Sequence, residues 1–166
     1  MNLARTGLKD LTIDDIEDRE KLEKLYIGRN FIETCSLVFD FVNLVELDFG
    51  INGLTHFPNI AAATQLKRLY LNNNSIPDID VDQLSHLHQL QVLDLRRNKL
   101  TALELPDSMA TLTFFSISQN DVEEIGYIPD LPVLEKLCLF GNLHLSRQKV
   151  VTLLQKTPAI QALHVG

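Results

Sequence analysis

Six asparagines recur along this chain at nearly one interval. They stand at positions 30, 52, 74, 98, 120 and 142, spaced 22, 22, 24, 22 and 22 residues apart. Aligned on them, the chain reads LEKLYIGRNFI from Leu22, LVELDFGINGL from Leu44, LKRLYLNNNSI from Leu66 and LQVLDLRRNKL from Leu90. LTFFSISQNDV from Leu112 and LEKLCLFGNLH from Leu134 complete the series. A fixed period of this length marks a stack of coils, in which each repeat buries its apolar side only against its neighbours.

Each repeated position has a physical reason. The fourth and sixth residues of a copy share one face of a strand by its period of two, so both enter the core while the residues between them point out. After the strand the chain must turn away, and the bend buries backbone N–H and C=O groups that need partners. An asparagine amide both donates and accepts, so stacked copies supply those partners and tie neighbouring coils together. The six asparagines are therefore expected to be buried and structural.

The pattern is L-x-x-L-x-L-x-x-N-x-L, and over residues 22 to 166 the chain resembles the leucine-rich repeat proteins of the 22-residue type. The resemblance implies an α/β solenoid, a right-handed horseshoe with a parallel concave sheet and helical caps at both ends. The convex side is expected to mix helix, 3-10 and extended pieces. Residues 81–90 have helical spacing with Asp80 or Asp82 as N-cap, and they take up the two extra residues of the 24-residue interval. Residues 100–112 and 122–134 carry prolines, which predicts extended pieces or short 3-10 turns.

A single domain is predicted, with residues 1–21 as N-terminal cap, 22–142 as six repeats and 143–166 as C-terminal cap with a last strand. In the first cap, Leu8, Leu11 and Ile13 are expected at repeat positions 1, 4 and 6, ahead of an acidic helical stretch. In the second, residues 146–156 have an amphipathic helical pattern and Thr157-Pro158 stops it. Ile160, Leu163 and Val165 then repeat positions 1, 4 and 6. This arrangement resembles the C-terminal cap of repeat proteins related to the protein phosphatase 1 regulatory subunit. In those proteins proline follows the asparagine, an aromatic-arginine pair opens the helix and leucine-aspartate closes the strand. Here Leu143, Ser146-Arg147 and Leu163-His164 hold those places. Bacterial proteins carry similar repeats, and both affiliations stay open at this point.

Composition narrows the class of function. With 45% hydrophobic and 22% charged residues, 166 residues suffice for one domain with a substantial core. No apolar run approaches ~18 residues and the start, MNLARTGLKDLTIDD, lacks the apolar stretch of a secretory signal, so a cytoplasmic, non-membrane protein is expected. Export routes that use no such signal leave no mark in a sequence. Cys35 and Cys138 form no framework, which suits a reducing compartment. Net charge is −7, and 11 of the 22 acidic residues fall at or before Asp48, which argues against nucleic acid as partner.

Parallel sheets normally have both faces covered, whereas the solenoid leaves its concave face open. The residues expected to project from it give the candidate contact set: Tyr26, Asp48, Arg68, Tyr70, Asp94, Arg96 and Arg97, then Phe114, Ser116, Lys136, Cys138, Phe140 and His164. Aromatics and arginines in such a surface match the composition of binding hot spots. The expected function is non-enzymatic capture of another protein, including inhibition or regulation of a partner enzyme by covering its working surface, with a scaffold that self-associates or binds through its convex face or ends as the alternative reading. A chain that is monomeric until it meets its partner is expected, with no cofactor and no metal.

Three chemical readings were weighed against that surface. Asp94, Ser116, Cys138 and His164 form a row containing carboxylate, nucleophile and base, but on an open face with no oxyanion donors such a row is a polar column rather than a catalytic site. Asp78, Asp80 and Asp82 mimic the start of a calcium loop, yet Gln83 and Gln89 replace its glycine and glutamate. His86 and His88 have no cysteine or third histidine near them in sequence.

Overall fold

The computed structural model describes residues 1–11, 16, 18–35 and 41–165. Among the described residues nine strands follow in chain order: β1 (Lys24–Tyr26), β2 (Glu46–Asp48), β3 (Arg68–Tyr70), β4 (Val92–Asp94), β5 (Ala102–Leu103), β6 (Phe114–Ser116), β7 (Glu124–Ile125), β8 (Lys136–Cys138) and β9 (Ala162–His164). Seven of them build one open parallel sheet in the order β1-β2-β3-β4-β6-β8-β9, and β5 pairs with β7 in a second, two-stranded one. The register joins equivalent repeat positions, so Leu25, Leu47, Leu69, Leu93, Phe115, Leu137 and Leu163 form one continuous row.

That row is the floor of the core. From Leu25 to Leu137 its members are at most 1% exposed, and so are the position-6 residues Ile27, Phe49, Leu71, Leu95 and Ile117. Each such side chain contributes roughly 1.5–3 kcal/mol by leaving water. Val165, expected at the last position 6, is 46% exposed. It follows β9, which has a strand neighbour on one side only among the described residues.

The asparagines do what their spacing implies. Asn98 Nδ2 donates to the carbonyls of Leu95 in its own coil (2.9 Å) and Leu71 in the preceding one (3.0 Å), while its Oδ1 accepts from Ile76 N (3.1 Å). Asn74, Asn120 and Asn142 repeat this three-bond pattern. Five of the six are 3–8% exposed and Asn52 is half-buried. Leaving any one of these buried backbone groups unmatched costs about 1–3 kcal/mol.

One regularity is invisible in the residue types. The position just before the asparagine is left-handed in every coil, at Arg29, Ile51, Asn73, Arg97, Gln119 and Gly141, with φ between 53° and 79°. There the chain leaves the strand and turns its N–H toward the next coil: Arg29 N reaches Gly50 O, and Ile51 N reaches Asn72 O, both at 2.8 Å. Only glycine adopts this conformation at no steric cost, and a β-branched residue such as Ile51 is the least suited to it.

The convex side is mixed, as expected. Helix α1 (Val81–Ser85) occupies the 24-residue coil, and Asp80 caps it by accepting from Gln83 N at 3.1 Å. The proline-bearing coils give β5, a 3-10 turn at Asp107–Thr111 and β7 instead. Helix α2 (Arg147–Leu154) starts at Ser146, and Thr157 lies beyond its end.

The first residues depart from the predicted register. Asn2 bridges in parallel to Tyr26, Leu3 N donates to Tyr26 O (2.7 Å) and Arg5, with φ 62°, donates to Gly28 O. Residues 1–8 thus follow the second half of a coil. Thr6 takes the asparagine's place, and its hydroxyl donates to Leu3 O (2.7 Å) as Asn30 does to Ile27 O. Leu8 is therefore not a first leucine: its carbonyl accepts from Phe31 N, the role Ile32, Leu54 and Ile76 play for the following coils. Ile13 and, in the predicted acidic helical stretch, Asp14, Asp15 and Glu17 lie outside the described residues, and what is described there includes a 3-10 turn at Arg19–Lys21.

Candidate functional site

Strand register sets two rows side by side on the open face. Lys24, Glu46, Arg68, Val92, Phe114, Lys136 and Ala162 form one, and Tyr26, Asp48, Tyr70, Asp94, Ser116, Cys138 and His164 the other. Neighbouring side chains in a row stand ~4.8 Å apart, so each touches its equivalents before and behind. Beyond the strands, Arg96, Arg97 and Phe140 extend the face.

Many of these groups are already engaged with one another. Arg68 Nε pairs with Glu46 Oε2 at 2.9 Å, and Arg97 Nε donates to Gln119 Oε1 at 2.6 Å. Lys136 Nζ lies 5.6 Å from the Phe114 ring centroid, within cation–π range. Cys138 Sγ is 3.3 Å from His164 Nδ1. Desolvation is the first cause raising the tyrosine pKa at Tyr70 and the thiol pKa at Cys138.

The thirteen candidate residues separate by depth. Arg96, Arg97, Lys136, Phe140 and His164 are exposed, and Phe140 at 49% is the most accessible aromatic of the face. Tyr26, Asp48, Arg68, Tyr70, Phe114 and Cys138 are half-buried. Asp94 and Ser116 correct the prediction, being 3% and 2% exposed and so offering almost no contact area. Strand alternation gives the side on which a residue projects but not its depth. Asp94 lies under Arg96, whose Nε is 3.1 Å from Oδ2 and whose backbone N donates to Oδ1. Ser116 sits beside Cys138, its partner in register on β8.

The same burial bears on the nucleophile row. Asp94 is committed to Arg96, and burial pushes the Cys138 thiol up, toward its protonated and less nucleophilic form. Among the described residues no three His, Cys, Asp or Glu side chains converge as a metal site requires. Asp80 serves as the α1 cap. No helix among them is long and apolar enough to cross a membrane.

Sequence reasoning passed over Gly28 and Gly50, which follow Tyr26 and Asp48 by two residues. A Cβ at Gly28 would stand 3.2 Å from both Asp48 carboxylate oxygens, and one at Gly50 would meet Asn72 Oδ1 at 2.8 Å. The glycines keep the approach to Asp48 open. Their signal was present, since positions 5 and 7 share a strand face, and only these two coils have glycine at position 7.

Comparison with known proteins agrees with this geometry. A leucine rich repeat family model matches residues 64–122. An Arabidopsis thaliana homolog of a protein phosphatase 1 regulatory inhibitor subunit is 29% identical over 106 residues, which are 63% of this chain and 32% of that protein. Human Toll-like receptor 8 is 32% identical over 125 residues, 68% of this chain and 12% of the receptor. The chain thus spans about a third of the first relative and about an eighth of the second. Among solved structures, a Leptospira interrogans leucine-rich repeat protein superposes with TM-score 0.72 at 22% identity, over 100% of this chain and 48% of that one. An internalin from Listeria monocytogenes does so with TM-score 0.71 at 21% identity, over 87% and 43%. The repeat register, the matched model and the shared solenoid lead to one assignment: this chain folds as a leucine-rich repeat solenoid with repeats of the 22-residue type.

Proposed function

We propose that this chain is a non-enzymatic protein-binding module that grips a partner protein on its concave face. One observation carries the reading. A parallel sheet that the fold leaves uncovered presents Tyr26, Tyr70, Phe114 and Phe140 among arginines, where a merely hydrated surface favours Lys, Glu or Thr. Leucine-rich repeat domains generally mediate contacts between proteins, and one relative is named as a phosphatase regulatory subunit homolog. By that likeness the module acts in the cytoplasm, regulating or inhibiting an enzyme by covering its working surface.

The contact centre is Tyr70, Phe114 and the arginines Arg68, Arg96 and Arg97, with Phe140, Lys136 and His164 toward one end. A standard interface buries ~800 Å² on each side. The test is affinity capture from a lysate followed by the Tyr70→Ala, Phe114→Ala double variant. Capture is lost while the variant still unfolds cooperatively; full capture by the folded variant overturns the proposed centre.

A further inference from the structure

Two aspartates share repeat position 5 in coils of opposite design. At Asp94, the backbone N of Arg96 donates to Oδ1 (3.1 Å) and the Arg96 guanidinium pairs with Oδ2 (3.1 Å), leaving the carboxylate 4% exposed. At Asp48 the first half of this arrangement is repeated, with Gly50 N donating to Oδ1 at 2.7 Å. The second half is not: glycine stands where Asp94 has its arginine, and Asp48 makes no ion pair with a described residue.

What surrounds Asp48 fits the same cation arriving from outside. Tyr26 and Tyr70 flank it in register on β1 and β3. Rings on the two neighbouring strands stand about 4.8 Å to either side, so a planar cation over the carboxylate lies within the ~6 Å reach of cation–π attraction to both. Gly28, Asp48 and Gly50 line a cavity of ≈ 260 Å³ together with Arg5 and Arg29. Arg29 is the weakest of the influences on Asp48 and forms no ion pair with it. Desolvation dominates at Asp48 and raises the carboxyl's pKa, as it also does at Asp94.

We infer that the Tyr26–Asp48–Tyr70 slot receives an arginine side chain of the protein partner, in the place that Arg96 fills at Asp94. Arginine is favoured over lysine because its flat guanidinium stacks on aromatic rings while hydrogen-bonding a carboxylate oxygen. This assignment builds on the concave-face reading and supplies the chemistry of one anchor in it.

The test is a titration of the full chain, followed by amide NMR, with N-acetyl-arginine N-methylamide. The citrulline analogue serves as neutral isostere and N-acetyl-aspartate N-methylamide as anionic control, because Arg5 and Arg29 line the cavity. The arginine probe should shift the Gly28, Asp48 and Gly50 amides saturably, with neither control doing so. Asp48→Asn, which keeps an acceptor for Gly50 N, should abolish the response, Tyr26→Leu should weaken it several-fold and Tyr26→Phe should retain it. No shift, an equal shift with citrulline, a stronger shift with the aspartate probe, or a response surviving in Asp48→Asn overturns the assignment. A failed titration with capture still lost in Phe114→Ala removes the slot and leaves the face. A successful one with capture intact in Phe114→Ala keeps the slot and removes the face's proposed centre.

Discussion

The two sides of each concave strand differ in how much they repeat. On the inner side the coils are nearly interchangeable: a leucine or phenylalanine at position 4, an apolar residue at position 6 and an asparagine at position 9, all bonded or packed alike. On the outer side no two coils share the same pair of residues at positions 3 and 5, and position 5 runs Tyr, Asp, Tyr, Asp, Ser, Cys, His. The inner side answers one physical demand, that coil upon coil be dry and hydrogen-bonded, and one demand repeated gives one answer repeated. The outer side meets no common demand from the fold, so its variety is free to serve the proposed partner.

Substitutions on the two sides should therefore fail differently. The largest effect is expected inside. Asn98→Ala strands the Ile76 amide, at about 1–3 kcal/mol, and removes one of two donors from the Leu71 and Leu95 carbonyls, which keep Asn74 and Asn120, at about 0.5–1.5 kcal/mol each, so chemical denaturation should show a loss of roughly 3 kcal/mol. A loss below about 1 kcal/mol would mean that water or a shifted backbone replaces the amide. On the outer side, Tyr70→Ala should weaken partner binding by about 2 kcal/mol or more while costing the fold much less, measured by calorimetric titration beside denaturant unfolding. Equal losses in both would erase the distinction between the sides.

A smaller effect sits at the corner between them. Ile51 is left-handed and 41% exposed, so Ile51→Gly removes a strain of roughly 1–2 kcal/mol and gives back part of it through glycine's unfolded-state freedom. A net gain of about 0.5–1 kcal/mol in unfolding free energy is expected. Gly141→Ala at the equivalent corner should destabilise, since its Cβ would meet Gln119 backbone atoms at 3.3 Å.

The smallest effect is electrostatic. Burial raises the folded-state pKa of Asp48 and Asp94 above the ordinary 3.8, so between that value and the raised ones the folded chain binds more protons than the unfolded. Stability contributed by these two groups accordingly falls as pH rises through that window and is level above it. Unfolding of wild type and Asp48→Asn compared across the acidic range should show the variant relatively more stable at neutral pH, with the difference shrinking toward low pH. The opposite slope would mean that the Gly50 N–H and nearby cations outweigh burial at Asp48.

The comparison also explains what the sequence made legible. Leucine and asparagine spacing sufficed for the parallel sheet, its register and the six-repeat core, because those positions obey the shared demand. Asp80 and Ser146 announced α1 and α2 because capping chemistry is local. The opening residues were misread because Thr6 satisfies only the Leu3 carbonyl with its single proton and so breaks the asparagine series. The left-handed corner stayed hidden because arginine, isoleucine and glutamine occupy it as well as glycine. Depth on the concave face was not legible either: alternation placed Asp94 outward, and only the folded position of Arg96 shows it covered.

The central claim is that the open sheet, not the return side, meets the partner. Photo-crosslinking tests it most directly, with a benzophenone amino acid placed at Tyr70 on the sheet or at Val133, which is 44% exposed between β7 and β8. The account predicts that illumination in the presence of the captured partner joins it to position 70 and not to position 133. Crosslinks at 133 with none at 70 would contradict it.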